Sequence, residues 1–284
     1  MSLLKKDGII LIGEIGINHN GDIQIVKKLI DSVFVCGWDC VKFQKRTPDL
    51  CIPEEQKGIL KDTPWGIMPY LEYKKRLEFS LYLYYIIDNY CTMKPIPWTA
   101  SVWDVPSLDF ISGFDTPFIK IPSAKITDLE LIQKACLDGN FIMLSTGMST
   151  LYEIDRAVEV IEDILPKESY VLMHTNSTYP TPIKDINLNM IRTLQDRYGC
   201  EVGYSSHDDS LEPCIAAVAL GAKIIEKHIT INHNLWGTDQ KASLEPHGMW
   251  MLRKRIDEAY LALGDGRKII TPNEMEVRKK LNGN

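Results

Sequence analysis

The sequence predicts a single (β/α)8 TIM barrel, which is a closed ring of eight parallel strands with a helix after each strand. Short apolar runs alternate with longer amphipathic runs along almost the whole chain. Parallel strands that are buried on both faces have this continuous apolar character. The length of 284 residues also suits one barrel, since such domains have about 250 residues. A doubly wound open sheet shares the alternation but rarely reaches eight strand–helix units in this length.

Eight runs have the composition of buried strands, and eight further stretches have the periodicity of amphipathic helices. The predicted strands are 9–17, 41–44, 96–101, 118–121, 141–145, 170–173, 201–204 and 223–226. The predicted helices are 22–36, 72–92, 105–112, 128–137, 150–164, 185–197, 211–220 and 246–263. Side chains suited to helix N-caps stand at or just before the start of four helices, namely Asp22, Asp128, Ser149 and Asp185.

One domain is predicted over residues 1–270, followed by a short, charged and peripheral tail at 271–284. Segment 46–71 is irregular in its pattern and much longer than a usual βα loop. Loops of this length inside a compact domain are usually functional, so we expect a lid or a contact with a partner there.

The composition is that of a globular protein with a full core, since 45% of the residues are hydrophobic and 25% are charged. The formal net charge of −6 argues against nucleic acid or an anionic membrane surface as the main partner. The apolar run near the N-terminus is too short to span a membrane. The seven cysteines lack CxxC spacing, which is typical of buried free thiols. We therefore expect a cytoplasmic protein.

Polar residues stand where each predicted strand ends, and enzymes of this fold have their active sites at that end of the barrel. Lys42 and Lys120 lie at a depth where a barrel built only for stability needs no lysine. Because side chains alternate between faces, Lys42 and Gln44 share a face. Lys120 and four hydroxyls are predicted to ring one small anion. The hydroxyls are those of Ser101, Ser123, Ser145 and Ser205. The alternative is that each lysine reaches solvent and each serine caps a helix.

His207 and His228 end neighbouring strands and are predicted to ligate one cation together. Two imidazoles with carboxylate or water oxygens suit Mn, Fe, Co or Zn better than Mg or Ca. On spacing alone, two core histidines with ordinary hydrogen-bond partners are an equal alternative. Glu14 and Glu226 are candidates for acid–base groups or for groups that orient the ligands.

Several common functional motifs are absent from the sequence. There is no GxxxxGK[ST], and no GxGxxG follows the first strand, so the usual nucleotide sites have no support. A GxSxG nucleophile elbow and an HExxH zinc motif are also absent. His19 is a further candidate for catalysis, although a histidine that caps a turn is an equal alternative.

Seven short motifs follow one another at characteristic spacings. They are GEIGINHNGD at 13–22, VKFQ at 41–44, KIPS at 120–123, LSTGM at 144–148, HTNSTYPTP at 174–182, GYSSHD at 203–208 and IEKHIT at 225–230. In this order they resemble the sialic acid synthase family, which makes N-acetylneuraminate and related nonulosonates. The resemblance runs from about residue 9 to residue 266 and rests on the whole set, since any one motif alone is a weak signal.

The resemblance implies an enzyme that condenses phosphoenolpyruvate with an amino-sugar aldehyde and releases phosphate. The sugar would be N-acetylmannosamine or a related 2,4-diacetamido-deoxyhexose. His207 and His228 would bind a divalent metal, Mn²⁺ with Mg²⁺ or Co²⁺ as alternatives, in a homodimer. The positions implied for phosphoenolpyruvate are Lys42, Ser101, Lys120, Ser123, Ser145, Ser177 and Ser205. Those implied near the sugar are Glu14, Gln44, Tyr179 and Asp239. We assign catalysis to Glu14, Lys42, Lys120 and Glu226.

Three positions depart from the family pattern or leave its register open. Ser177 stands where the commoner pattern has Asn, and Lys125 stands where many members have Glu, which bears on sugar recognition. Thr99 would replace Ser101 if the register of the third strand slipped. Many members also have a C-terminal domain resembling type III antifreeze protein, which contacts the sugar of the partner subunit. This chain ends soon after the barrel, which is expected of a short natural variant, a truncated form or one half of a two-protein system. Segment 46–71 is a candidate to cover the sugar instead.

Two other functions compete with this interpretation. A related synthase could act on a phosphorylated sugar, as in Kdo-8-phosphate or DAHP synthesis, and an extra basic cluster for the distal phosphate would favour it. The sequence has no evident cluster of this kind. The other alternative is a non-catalytic barrel that binds a sugar or a partner, against which the retained lysines and histidine pair argue.

Overall fold

A computed structural model describes residues 7–138 and 141–282. The predicted start of the domain at residue 1 and the last two residues of the predicted tail lie outside these ranges. The centre of the molecule is a closed barrel of eight parallel strands, which confirms the predicted fold. In their order around the ring the strands are β1 (Ile10–Gly16), β2 (Cys40–Lys45), β5 (Trp98–Val102), β6 (Ile119–Ile121), β7 (Ile142–Ser145), β8 (Tyr170–Thr175), β9 (Glu201–Ser206) and β10 (Ile224–His228). A separate antiparallel hairpin consists of β3 (Leu60–Lys61) and β4 (Met68–Pro69).

Helices follow every strand of the barrel along the chain, and most of them form its outer layer. They are α1 (Ile23–Val35), α2 (Pro48–Cys51), α3 (Glu54–Lys57), α4 (Tyr70–Leu77), α5 (Leu81–Met93), α6 (Val105–Ile111), α7 (Leu129–Leu137), α8 (Leu151–Glu162), α9 (Met190–Tyr198), α10 (Glu212–Ala219), α11 (Pro246–Leu263) and α12 (Pro272–Asn282). Of these, α2, α3 and α12 lie outside that layer. Each predicted strand and helix overlaps an observed one. The large core cluster lies between the outer faces of the strands and the helices.

Helix caps agree with the prediction at two of four positions. The Asp22 and Asp128 carboxylates accept backbone N–H bonds at the starts of α1 and α7. The prediction of Ser149 is wrong by one residue, because Thr150 caps α8 and forms a reciprocal capping box with Glu153.

The prediction that a helix begins at Asp185 is also wrong. Ile183–Asp185 forms a single 3₁₀ turn, and Asn187 then adopts a φ of 52°, which ends any continuous right-handed helix. Helix α9 therefore begins at Met190, and Asp185 caps nothing.

The single helix predicted over 72–92 is in fact two helices, α4 and α5. The chain is extended at Glu78, and the Ser80 hydroxyl accepts the Leu83 N–H at the start of α5. Between them, the buried Phe79 ring lies 4.4 Å from the His19 ring, centroid to centroid. Packing of Phe79 against the loop after β1 thus outweighs the local helical pattern.

The interior of the barrel changes from apolar to polar along the strands. Its lower half is filled by an apolar cluster, consisting of Ile10, Ile12, Cys40, Phe118, Met143, Val171, Met173 and Ile224. On the same inward faces, Glu14 follows Ile12 and Lys42 follows Cys40. The apolar cluster is therefore a floor, and polar side chains are gathered above it at the carboxyl ends of the strands.

Segment 46–71, here named the roof segment, is more regular than the sequence pattern indicates, since it contains α2, α3 and the β3–β4 hairpin. At its start, the Thr47 N–H and hydroxyl donate to the Asp104 carboxylate at 2.7 and 2.9 Å. Near its end, the Trp65 ring lies 6.4 Å from the ring of Tyr73, which in turn lies 5.3 Å from the ring of Trp236. The segment is thus fixed to the loops after β5 and β10.

The last helix, α12, is exposed along its whole described length. Over residues 7–138 and 141–282, no helix has the length and apolar character needed to cross a membrane.

Candidate active site

A cavity of about 180 Å³ opens at the carboxyl ends of the barrel strands. It is lined by Glu14, Lys42, Gln44, Ser101, Trp103, Lys120, Pro122, Ser123, Ala124, Ser145, Met148, Thr175, Ser177, Tyr179, Ser205, His207, Glu226 and His228. Every residue predicted for the site lines this cavity except Asp239. The volume is below the range of typical drug-sized pockets, so the enclosed part suits a small ligand.

Lys42 is the charged centre of the cavity floor. Its Nζ lies 2.6 Å from Glu14 Oε2 and 3.5 Å from Glu226 Oε1, and it donates to Ser101 Oγ at 2.8 Å. Burial opposes the charged form, but the two carboxylates outweigh it and raise the pKa of Lys42 above its ordinary value. Lys42 is therefore a permanent cation in the site.

Lys120 is a second buried cation, and carboxylates stabilise its charge less than they stabilise that of Lys42. Its Nζ donates to Ser145 Oγ at 2.6 Å. Burial lowers the pKa of Lys120 to about 8, with Lys42 also lowering it and Glu226 opposing the shift. Burial acts to raise the pKa of Glu226, but Lys120 and Lys42 lower it to about 2, and Ser205 Oγ donates to this carboxylate at 3.1 Å. Lys120 thus lacks a close carboxylate of its own and can accept an anion.

Two hydroxyls and a backbone amide converge beside Lys120. The Gly147 N–H donates to Ser123 Oγ at 3.1 Å. A Cβ atom at Gly147 would lie 2.5 Å from Ser177 Oγ and 2.8 Å from Ser123 Oγ, so only glycine fits between them. The sequence prediction does not include Gly147, although its place in LSTGM directly after β7 is a usable signal.

His207 and His228 face each other across the opposite wall, with ring centroids 5.6 Å apart. His207 Nδ1 lies 2.6 Å from the Asn176 carbonyl oxygen, and its Nε2 lies 2.9 Å from the Tyr179 hydroxyl. Burial and the neighbouring His228 lower the pKa of His207 to about 3, so its ring is neutral. His228 Nδ1 is buried and has no hydrogen bond among the described residues.

Asp239 lies beside the cavity rather than in its wall. Its Oδ2 is 3.8 Å from His228 Nδ1, in the loop after β10. The sequence predicts Asp239 near the sugar, and in the structure it lies behind His228. A small shift would bring its carboxylate within hydrogen-bond distance of His228 Nδ1.

Arg46 and Trp103 form a part of the mouth that the sequence prediction omits. The Arg46 guanidinium lies 4.5 Å above the Trp103 ring and donates to Gln44 Oε1, and Gln44 Nε2 donates to Glu14 Oε1 at 3.0 Å. Trp103 follows Ser101 by two residues, so the alternation of faces would have placed it in the cavity. Nothing in the local pattern distinguishes Arg46 from a solvated arginine.

The structure gives the contacts of three further residues that the sequence analysis names. Thr99 Oγ1 donates to the Phe118 carbonyl oxygen at 2.7 Å, so Ser101 and not Thr99 is the hydroxyl beside Lys42. His19 Nδ1 accepts the Gly21 N–H at 3.0 Å, as expected of a histidine that caps a turn. Lys125 does not line the cavity, since its Nζ lies 3.3 Å from an Asp128 oxygen.

The fold and the cavity define a class, a TIM-barrel protein with two buried lysines and a pair of histidines in one cavity at the carboxyl ends of its strands. The NeuB family model matches residues 29–268, which is most of the chain. The chain therefore belongs to the NeuB family, and the resemblance found in the sequence motifs is confirmed.

Curated relatives and solved structures agree with this family. The chain is 35% identical over 280 residues to the N,N'-diacetyllegionaminic acid synthase of Campylobacter jejuni, covering 96% of this chain and 84% of the relative. It is 36% identical to the N-acetylneuraminate-9-phosphate synthase of Drosophila melanogaster, and the match covers 98% of this chain and 73% of the relative. Among solved structures, the chain superposes on the N-acetylneuraminic acid synthetase of Leptospira borgpetersenii in complex with citrate, with a TM-score of 0.86 at 28% identity. The match covers 98% of this chain and 94% of that structure.

Proposed function

We propose that this protein condenses phosphoenolpyruvate with an N-acetylated amino-sugar aldehyde to give a nonulosonic acid and inorganic phosphate. The sugar is N-acetylmannosamine or a related 2,4-diacetamido-deoxyhexose. The observation that carries the proposal is the pair of buried lysines, Lys42 and Lys120, set among hydroxyls over an apolar floor. The names of the synthase relatives supply the reaction class.

Phosphoenolpyruvate carries a phosphate and a carboxylate, and the cavity offers donors for both. Lys120, Ser145 and the group formed by Ser123, Gly147 and Ser177 would bind one anionic end. Lys42 and Ser101 would bind the other end, with Ser205 nearby. Fixed donors in a site that excludes water stabilise developing charge more strongly than water does.

The proposed reaction balances without an oxidant or a reductant. C3 of phosphoenolpyruvate forms a bond to the aldehyde carbon, and the aldehyde oxygen takes up a proton. A water molecule adds to C2 and releases one proton, which balances the proton taken up by the aldehyde oxygen. The C–O bond to phosphate then breaks, C2 becomes a keto carbon, and its hydroxyl proton leaves with the phosphate.

The two glutamates differ in the roles that we assign to them. Glu226 has a pKa of about 2 and stays ionised, so it serves as a counter-charge that pairs with Lys42 and also favours the charged form of Lys120. Glu14 is joined to Gln44 and Lys42 on the side of the proposed sugar site, and we assign it the proton transfer to the aldehyde oxygen.

We also propose a divalent cation, Mn²⁺ with Mg²⁺ or Co²⁺ as alternatives, held by His207 and His228. The residues present fit such an ion. His207 Nδ1 is engaged with a backbone carbonyl, which is the usual support of a metal-binding histidine, so Nε2 would bind the metal in place of its contact with the Tyr179 hydroxyl. The buried His228 Nδ1 lacks a hydrogen bond.

No third His, Cys, Asp or Glu joins the pair within the described residues, so substrate or water oxygens would complete the shell. When bound, the ion would supply Lewis-acid polarisation of the aldehyde.

Phosphate release tests the proposal. The protein is incubated with phosphoenolpyruvate, Mn²⁺ and a panel of N-acetylmannosamine, a 2,4-diacetamido-deoxyhexose and N-acetylmannosamine 6-phosphate, with chelator controls. We expect release that depends on an unphosphorylated N-acetylated aldehyde and on metal. Faster release with the phosphorylated sugar would favour the alternative synthase class, and no release with any sugar would favour a binding protein.

Replacement of Gly147 should weaken phosphoenolpyruvate binding specifically. In Gly147→Ala the added methyl group pushes Ser123 and Ser177 apart, and overpacking of this kind costs about 1–3 kcal/mol. The KM for phosphoenolpyruvate should rise by roughly 10- to 100-fold, while the sugar KM changes little. Gly58→Ala is the matched control, because no atom lies within 4 Å of its added Cβ. Equal KM values in both variants would contradict the assigned anion site.

Loosening the roof segment should affect the sugar instead. Trp65→Ala removes the ring that packs toward Tyr73 and Trp236, so the segment would be held less firmly against the loop after β10. We expect the sugar KM to rise about tenfold, since small displacements of positioning groups have effects of this size, with the KM for phosphoenolpyruvate unchanged. Ile67→Ala, at a side chain 73% exposed in the same segment, is the control. An unchanged sugar KM in Trp65→Ala would show that the roof does not cover the sugar.

We further propose that the protein works in the cytoplasm as a homodimer. All seven cysteines are free, which suits a reducing compartment. Helix α5 presents the exposed side chains of Leu81, Tyr82 and Tyr85, which favour a subunit contact there. Sedimentation equilibrium of the wild type and of Tyr82→Glu would test the dimer.

A further inference from the structure

Lys227 is a fully buried lysine that the proposed chemistry does not use. It lies on β10 between Glu226 and His228, and its side chain leaves the opposite face of the strand. The two neighbours line the cavity, whereas Lys227 points away from it. A buried ammonium group is costly, and well-packed apolar residues are often as stable as buried ion pairs.

The contacts of Lys227 converge on the two residues that flank His207. Its Nζ donates to Ser206 Oγ at 2.6 Å and to the Asp208 carbonyl oxygen at 2.7 Å. The Asp208 carboxylate lies further away, at 3.8 Å. Both short bonds therefore hold the chain immediately before and after His207.

These contacts begin where the strand ladder ends. Ser206 opposite Lys227 is the last paired position of β9 and β10, so His207 lies beyond the ladder. The turn that follows is stiffened by Asp208, whose Oδ2 accepts from Ser206 Oγ at 2.6 Å and from the Tyr204 hydroxyl at 3.2 Å. Lys227 thus joins β10, which carries His228, to a rigid turn that carries His207.

We infer that Lys227 is a positioning residue that fixes His207 relative to His228 from behind the barrel wall. The inference rests on the proposed function, in that the pair is taken to hold a divalent cation. A metal pair made of only two protein side chains depends strongly on their mutual geometry, and loss of a supporting contact typically lowers metal affinity by about 10- to 100-fold.

The test measures Mn²⁺ affinity directly, by the loss of the free-ion EPR signal on titration, so it does not depend on turnover. In Lys227→Met we expect the Kd for Mn²⁺ to rise about 10- to 100-fold. The affinity for phosphoenolpyruvate without metal should stay within about twofold, because its donors lie on the inward faces. Lys223→Met, at an exposed lysine just before β10, is the matched control and should bind Mn²⁺ like the wild type.

A second variant separates positioning from charge neutralisation. Lys227→Met with Asp208→Asn removes the buried carboxylate that the single change leaves without a cation, so stability should recover. If Lys227 positions His207, Mn²⁺ binding stays weaker in this double variant than in Asp208→Asn alone, which keeps Lys227 and its two short bonds. Recovery of wild-type Mn²⁺ affinity there, or unchanged affinity in the folded single variant, would overturn the inference.

Two further outcomes are distinguishable from these. If Lys227→Met does not fold, Ser206→Ala removes one of the two short bonds, and a Kd for Mn²⁺ equal to the wild-type value would then overturn the inference. If the wild type itself binds no Mn²⁺, Co²⁺ or Mg²⁺, the proposed metal site is wrong, and the inference fails with it.

Discussion

Lys42→Met should abolish measurable synthesis, with kcat/KM lowered by at least about 10³-fold. The variant removes the cation that contacts Glu14 and Ser101 and lies near Glu226, and it leaves buried carboxylates without their partner. Removing one member of a buried ion pair costs about 3–5 kcal/mol. We therefore expect the free energy of unfolding at pH 7.5 to fall by a similar amount in urea titrations.

The pH dependence of this loss identifies its cause. In the variant, the carboxylates left behind bind protons more tightly in the folded than in the unfolded state, so stability is retained at low pH and lost as pH rises. The deficit in unfolding free energy should shrink between pH 7.5 and pH 5. Lys42→Met with Glu14→Gln should recover stability but not activity, and Lys28→Met on the exposed face of α1 is the neutral control. Activity within tenfold of the wild type would refute the role of Lys42.

Activity should also decline on the alkaline side near pH 8, through Lys120. Because burial lowers the pKa of Lys120 to about 8, its ammonium group loses its proton there, and kcat/KM for phosphoenolpyruvate should fall about tenfold per pH unit above it. The substrate phosphate, with a second pKa of about 6, is already a dianion in this range. The anionic groups of bound substrate favour the protonated form of Lys120, so the alkaline limb of kcat should lie at higher pH than that of kcat/KM.

Lys120→Arg tests this assignment, because guanidinium stays protonated throughout the range. Its alkaline limb should move above pH 10, at a lower maximal rate. An unmoved limb would mean that another group titrates. At Lys120 itself, the unfolded chain binds more protons than the folded one between pH 8 and 10.5, so the contribution of this residue to the unfolding free energy should rise across that window, measured as the difference between the wild type and Lys120→Arg.

Much of the barrel and of its cavity was predictable from the sequence, because both depend on short-range rules. Buried parallel strands are apolar throughout, and a period of two residues places Lys42 with Gln44 and Glu226 with His228 on inward faces. The residue types at strand ends then indicate anion and metal chemistry. The roles of the individual side chains stay predictions until the variants are measured.

The remaining features depend on contacts between distant parts of the chain. The amphipathic pattern continues through 72–92, and only the burial of Phe79 against His19 divides the helix there. Gly147 matters because two hydroxyls from other strands meet beside it. Arg46 gains its place from Trp103, which is 57 residues later in the sequence. No local pattern carries information about such neighbours.

The apolar floor of the barrel has a consequence for the order of events in turnover. Because packed side chains close the interior below, the described residues leave the mouth as the route by which ligands enter and leave the cavity. Lys42, Lys120 and Ser145 are almost completely covered, whereas Tyr179 is 44% exposed. With the anion held by the lysines and the sugar near Tyr179, as we propose, a sugar bound first would block the path of the anion. We therefore expect compulsory-order kinetics, with phosphoenolpyruvate as the leading substrate.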